Sequence, residues 1–215
     1  MSAAHRLYDA TWGRMFAAMY DRGLKATEEA GLGEMRRELL AATSGRVLEL
    51  GAGTGINLDL YPPAVTELVL VEPDPHMAKR LRARLTASPR QATVLEAPGE
   101  RLPFADGEFE IAVATLVLCT VPDPAATLAE LRRVLAPGGR LLLIEHVRSG
   151  HQDLARWQDR LHGPWRFLAD GCHCNRDTAA TLAAAGFEAG ALEKDELPKS
   201  PPIIRPLIRG QVVSR

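Results

Sequence analysis

The stretch Val47-Leu-Glu-Leu-Gly51-Ala-Gly53-Thr-Gly55 constrains this chain more than any other. A short apolar segment, Arg46 to Leu50, runs into a turn with three alternate glycines. Glycine permits close backbone approach and dihedrals that a Cβ forbids. A buried strand, such a turn and a following helix together place a ligand at the carboxyl end of a parallel sheet. The G-x-G-x-G spacing differs from the G-x-G-x-x-G of dinucleotide folds. No G-K-[ST] ending follows, so no lysine is offered to a phosphate. A second apolar segment ends in Glu72, about twenty residues beyond the glycines, where a carboxylate suits ribose hydroxyls. Pro73 and Pro75 fix the loop around it.

The pattern elsewhere alternates strand and helix. Strands are predicted at Arg46 to Leu50, Glu67 to Val71, Ala92 to Glu96, Glu110 to Leu116 and Arg140 to Glu145. Helices are predicted from Gly55 to about Leu60, ended by Pro62-Pro63, from Pro75 to Ala87, and from Pro124 to Leu135. Pro137-Gly138-Gly139 reads as the stop of the last of these. Before the core, about Ala4 to Ala42, apolar residues recur at helical spacing. Leu7, Trp12, Phe16 and Met19 form one group, and Leu32, Met35, Leu39 and Leu40 another, punctuated by Gly31 and Gly33. His151 to Arg176 breaks the rhythm with Trp, His and Cys. Then come a helix at Asp177 to Ala185, a strand at Phe187 to about Glu193 and a last strand at Pro206 to Val213. The expectation is an α/β fold: a doubly wound, mostly parallel seven-stranded sheet with a C-terminal hairpin and an N-terminal helical cap. Read as one domain over 1–215, it divides into cap (1–43), ligand-binding core (44–148) and a substrate-side insertion with C-terminal strands (149–215).

Composition narrows the function classes. A net charge of -1 offers no basic excess for nucleic acid. Arg80, Arg82 and Arg84 read as a solvated helix face. Three cysteines, Cys119, Cys172 and Cys174, suit a reducing compartment rather than a disulfide scaffold. Met1-Ser-Ala-Ala-His-Arg carries no signal-length apolar run, and no stretch approaches the roughly 18 apolar residues of a membrane span. The expectation is a cytoplasmic protein.

Four segments, LELGAGTG, LVLVEPD, LPFADGEFE (Leu102 to Glu110) and LRRVLAPGG (Leu131 to Gly139), make the chain resemble class I methyltransferases that use S-adenosylmethionine (SAM), with a Rossmann-like core. That resemblance implies SAM as cofactor. Glu49, Gly51, Ala52, Gly53 and Asn57 would surround its methionine and ribose, and Glu72 would hold the ribose hydroxyls. Pro73 and Met77 would flank the adenine, with Gly99 and Glu100 at its edge and Thr115 and Leu116 below the sulfonium.

A narrower resemblance rests on Thr115-Leu-Val-Leu-Cys-Thr-Val-Pro-Asp123, Ile144-Glu-His-Val-Arg148 and Gly171-Cys-His-Cys-Asn-Arg-Asp-Thr178. These segments are similar to a subgroup of thiol methyltransferases, membrane-associated in mammals and soluble in actinobacteria. The chain lacks the mammalian hydrophobic N-terminal anchor, so membrane attachment is not carried over. The subgroup implies a small-molecule thiol or dithiol as acceptor. The alternatives are a quinone, phenol or phospholipid amine acceptor, and a SAM-binding module without turnover. Nucleic-acid methylation is disfavoured by the missing basic patch and amino-methylase motif.

Two histidines stand out as catalytic candidates. His146 follows the fifth strand and titrates near neutrality; His173 lies in the Cys-rich loop. Trp12, Tyr20, Trp157 and Trp165 could cover the substrate, with Cys119 and Cys172 lining its pocket. Cys172-His-Cys174 is not read as a metal site, because neighbours on one short loop rarely supply four tetrahedral ligands.

Overall fold

The structure, a computed structural model, describes residues 9–188 and 192–214. It contains one seven-stranded sheet in the order β3-β2-β1-β4-β5-β7-β6. The strands are β1 (Gly45–Leu50), β2 (Val65–Val71), β3 (Thr93–Leu95), β4 (Phe109–Thr115), β5 (Leu135–His146), β6 (Glu193–Glu196) and β7 (Pro206–Val213). The first five pair in parallel, and β7 joins β5 antiparallel, as expected of a C-terminal hairpin.

Alternate residues along each strand feed two apolar layers, as a pleated strand requires. Leu48, Leu50, Ala112, Ala114, Leu141 and Leu143 pack on one face with Leu128 and Leu131 of α4 (Pro124–Val134). Val47, Leu70, Ile111, Val113 and Leu142 pack on the other with Leu81 of α3 (Pro75–Ala87) and Leu40 of α2 (Gly33–Leu40). The sequence Asp-Pro starts both core helices. Asp74 accepts the N–H of His76 and Met77, each at 2.8 Å, and Asp123 those of Ala125 and Ala126, each at 3.0 Å. Proline in the first helical turn loses nothing, since those N–H groups have no helical partner.

Strand order reverses between β1 and β4, and ligands of open α/β sheets bind at that point. Four chain segments leave the carboxyl edge there: the glycine turn after β1, Glu72 after β2, Leu116 after β4 and His146 at the end of β5. Two further helices close this side, α1 (Arg14–Thr27) from the cap and α5 (Gln152–Leu168) from the insertion; α6 (Thr178–Ala184) follows.

Four expectations need correction. No α-helix follows the glycine turn: only a 3-10 turn, Leu58–Leu60, forms there. Pro62 holds Tyr61 extended and leaves too few residues for two α turns. Pro137-Gly138-Gly139 does not merely stop α4. It lies within β5, where the pairing jumps from Phe109–Leu135 to Ile111–Arg140 across a bulge. The strand expected at Phe187 to Glu193 is displaced to Glu193–Glu196, with a single bridge from Phe187 to Ser214. Residues 189–191 of that expectation, with Leu7 and the start of the first helix, lie outside the described residues. In the cap, α1 buries Ala17 and Thr27 while Met15 and Met19 are exposed, so Met19 does not belong to the buried face. No described helix is long and apolar enough to cross a membrane.

Candidate active site

The glycine turn is shaped by backbone demands. Gly51 and Gly53 have φ of 61° and 57°, in the left-handed region that favours glycine. A Cβ on Gly51 would stand 2.6 Å from a methyl of Val117, so the turn after β1 and the loop after β4 touch only because Gly51 is bare. Leu116 also has a positive φ of 61°, with its N–H bonded to Ile144 O at 2.7 Å. A leucine there is strained, and such strain concentrates at functional sites.

Three carboxylates surround this edge. Each is buried, and burial raises each above the ordinary carboxylate range. Glu72 is pushed up to about 7; its two oxygens accept the N–H of Gly53 at 2.8 Å and of Asp74 at 2.9 Å. Glu49 is pushed up to about 6 and accepts from Asn57 Nδ2 at 2.8 Å and Tyr61 OH at 2.7 Å. Glu145 is pushed up to about 7 and gathers three N–H groups, Val117 and Leu118 at 2.7 Å and Cys119 at 3.2 Å. That carboxylate sets the shape of the loop after β4. The sequence reading missed it.

Arg36 was also missed. It is 3% exposed and donates to Glu28 Oε1 at 3.0 Å, Asn57 Oδ1 at 3.1 Å and Thr115 Oγ1 at 2.7 Å. With Tyr20, Thr54, Ile56, Glu49, Gly51, Ala52, Gly53, Asn57 and Thr115 it lines a cleft of about 20 Å³. Burial pushes the Tyr20 phenol up to about 12, so it enters the cleft as a neutral hydroxyl. Asp21 latches α1 over the turn, accepting from Thr54 Oγ1 at 2.5 Å and pairing with Arg84 at 2.6 Å.

The remaining expected contacts divide. Glu72 stands behind Gly53, Met77 is buried at the start of α3, and Pro73 is exposed. Gly99 is packed against Leu50 and Thr127, and Glu100 accepts the Asp123 N–H at 3.1 Å; neither lines the cleft. Trp12 stacks on Phe167 at 5.9 Å. Trp157 is 53% exposed beneath the Arg160 guanidinium. His173 directs Nδ1 to His162 Nε2 at 2.7 Å, so its ring belongs to the insertion. His146 is buried with Nδ1 3.2 Å from Ile204 O, and burial pushes its pKa down to about 4. Cys119 and Cys172 meet beside it. Their mutual interaction holds the Cys119 thiol above its usual range and lowers that of Cys172. The buried Trp165 indole N–H further lowers Cys172.

The donor set suits SAM. A carboxylate with spare lone pairs ends β2, bare glycine backbone follows β1, and one guanidinium faces the cleft to meet a carboxylate. Residues 48–143 match the family model described as a methyltransferase domain. The chain is 37% identical to the human thiol S-methyltransferase TMT1B over 180 residues, covering 81% of this chain and 73% of that protein. It is 34% identical to human TMT1A over 179 residues, covering 80% and 73%. Among solved structures, a Thermotoga maritima SAM-dependent methyltransferase, described as a possible histamine N-methyltransferase, superposes with a TM-score of 0.69 at 23% identity, covering 94% of this chain and 98% of that one. The [4+2]-cyclase SpnF superposes with a TM-score of 0.62 at 18% identity, covering 85% and 79%, and shares the fold alone. Fold, glycine turn and sequence relatives agree that the chain is a SAM-dependent methyltransferase, a member of the family that contains TMT1A and TMT1B.

Proposed function

We propose that this enzyme methylates the sulfur of a small thiol or dithiol. The observation that carries the reading is the lack of an available strong base among the described residues beyond Thr115. His146 is held neutral at pH 7 by burial, and Glu145 is committed to three backbone N–H groups. A phenol with a pKa of about 10 needs a real base, whereas a thiol near 8.5 yields its own anion with modest help. The 34–37% identity to proteins named thiol S-methyltransferases supports the same choice.

SAM, when bound, supplies a methyl carbon already activated by its positive sulfur. The chain's part is positioning, which is worth about 7–11 kcal/mol in well-aligned systems. In this reading Glu72 holds the ribose hydroxyls, Pro73 and Met77 flank the adenine, and Arg36 meets the methionyl carboxylate. Gly51, Ala52 and Gly53 let the backbone approach, with Thr115 and Leu116 beneath the reacting centre. His146, its Nδ1 facing Ile204 O, leaves Nε2 on the acceptor's side of the site and does not ionise. Cys119, Cys172 and Trp165 form the acceptor wall, and Tyr20 closes it from the cap. The cleft of about 20 Å³ lies under α1, and in this reading α1 moves aside to admit the cofactor. Incubation of the purified protein with SAM and a monothiol or dithiol should give the thioether and an equal amount of S-adenosylhomocysteine by mass spectrometry. A protein that binds SAM yet yields no thioether from any thiol overturns the proposal.

A further inference from the structure

We infer that Cys119, His146 and Cys172 form a zinc site with one open position. The three side chains come from different parts of the fold: the loop after β4, the end of β5 and the loop after α5. Each is buried, at 1%, 7% and 5% exposure. One ligand atom from each lies within 4.8 Å of the other two. Zinc–sulfur bonds of about 2.3 Å and zinc–nitrogen bonds of about 2.0 Å place tetrahedral ligands roughly 3.5–3.8 Å apart. A contraction of about 1 Å therefore seats the ion.

The surroundings are those of a held site. His146 faces Ile204 O with Nδ1 at 3.2 Å, an outer contact that fixes the tautomer and leaves Nε2 as the ligand. The His173 N–H bonds Cys119 O at 2.8 Å, and Arg176 Nη1 bonds Leu118 O at 2.6 Å, clamping the two cysteine loops together. The buried Trp165 Nε1, beside Cys172, has no hydrogen-bond partner. Two thiolates cancel the charge of Zn²⁺, and the borderline-soft S₂N set suits zinc over magnesium or calcium. This is not the Cys172-His173-Cys174 run set aside on sequence: His173 turns to His162, and Cys174 points its sulfur at Gln158 O, 3.7 Å away.

Three protein ligands leave a fourth position, as catalytic zinc sites do. Its role rests on the thiol reading: the acceptor's sulfur occupies that position as thiolate, its proton passing to solvent. Zinc content and cobalt spectra of the reduced full-length protein test the site separately from activity. Wild type should hold one Zn²⁺ per chain, and Co²⁺ loading should give near-ultraviolet sulfur-to-cobalt absorption. Cys119→Ser, Cys172→Ser and His146→Ala should each cut metal retention at least tenfold, with SAM binding retained as the check on folding. Reduced wild type that binds SAM but takes up neither Zn²⁺ nor Co²⁺ overturns the site. So does a metal-free chain two mass units light from a Cys119–Cys172 disulfide that takes up no metal after reduction. Stoichiometric zinc without thiol methylation sustains the site and sinks the thiol reading. Equal thiol turnover by zinc-loaded and metal-free protein overturns the activating role.

Discussion

Replacing Glu72 by glutamine separates two effects that the structure sets in opposition. The Glu72 carboxyl is 7% exposed and pushed up to about 7 by burial, against 4.5 for an ordinary glutamate. Its folded pKa lies above its unfolded one, so the folded chain holds that proton more tightly. The stabilisation this gives is present in full below about pH 4.5 and is lost as pH rises through about 7, up to about 3 kcal/mol. Glutamine carries no charge to desolvate. The cofactor-free Glu72→Gln protein should therefore melt at pH 8 no lower than wild type, even though one backbone N–H loses its acceptor. SAM binding should move the other way. Charge-assisted bonds to ribose hydroxyls contribute about 1.5–3 kcal/mol, so the variant should bind SAM roughly 10–150-fold more weakly at pH 8. The ionised fraction of wild-type Glu72 falls from about nine-tenths at pH 8 to about one-tenth at pH 6, so wild-type affinity should drop about tenfold over that range. The variant should show a flatter profile, which removes any contribution from the cofactor's own amino group. Isothermal titration at pH 6, 7 and 8 measures this. Equal affinities for the two proteins at pH 8, or identical pH profiles, would refute the ribose role of Glu72.

Three other perturbations follow from the same geometry. Arg36→Met removes the guanidinium from Glu28, Asn57 and Thr115; it should cost about 3 kcal/mol of stability. It should also abolish the preference for SAM over its decarboxylated analogue in competition binding, and an intact preference would place the methionyl carboxylate elsewhere. Asp21→Asn loosens the latch to Thr54 and Arg84 and should speed SAM association in stopped flow, whereas an unchanged rate would show that α1 does not gate entry. Gly51→Ala meets both a positive φ and the Val117 methyls, and should lose about 2–4 kcal/mol in denaturant melts. Adding Val117→Ala should restore part of that loss; no restoration would leave backbone strain as the whole cause.

What sequence revealed depended on how local the determinant was. The Asp-Pro starts of α3 and α4 and the apolar runs of β1, β2 and β4 are short-range signals, and the elements lie where those signals place them. The helix expected after Gly55 fails because Pro62 arrives too soon. Arg36 left a readable trace: it stands four residues from both Leu32 and Leu40, on the apolar face of α2, where a solvated arginine would not sit. Glu145 left none. It reads as one more residue of a strand, and its role appears only when parallel pairing of β4 with β5 brings it beneath the N–H groups of residues 117–119. Cys119, His146 and Cys172 are likewise distant in sequence and joined by loop-to-loop backbone bonds that no periodicity encodes.

The central claim, that sulfur is the accepting atom, is tested most directly by a matched series of aryl acceptors. Purified protein is given methyl-labelled SAM with a benzenethiol, the corresponding phenol and the corresponding aniline, and kcat/KM is measured for each at pH 7.5. The thiol should exceed both others by at least about 100-fold: the phenol lacks a strong base to ionise it, and the neutral aniline is a weaker nucleophile than a positioned thiolate. A phenol or aniline turned over as fast as the thiol, or in its place, would contradict the account.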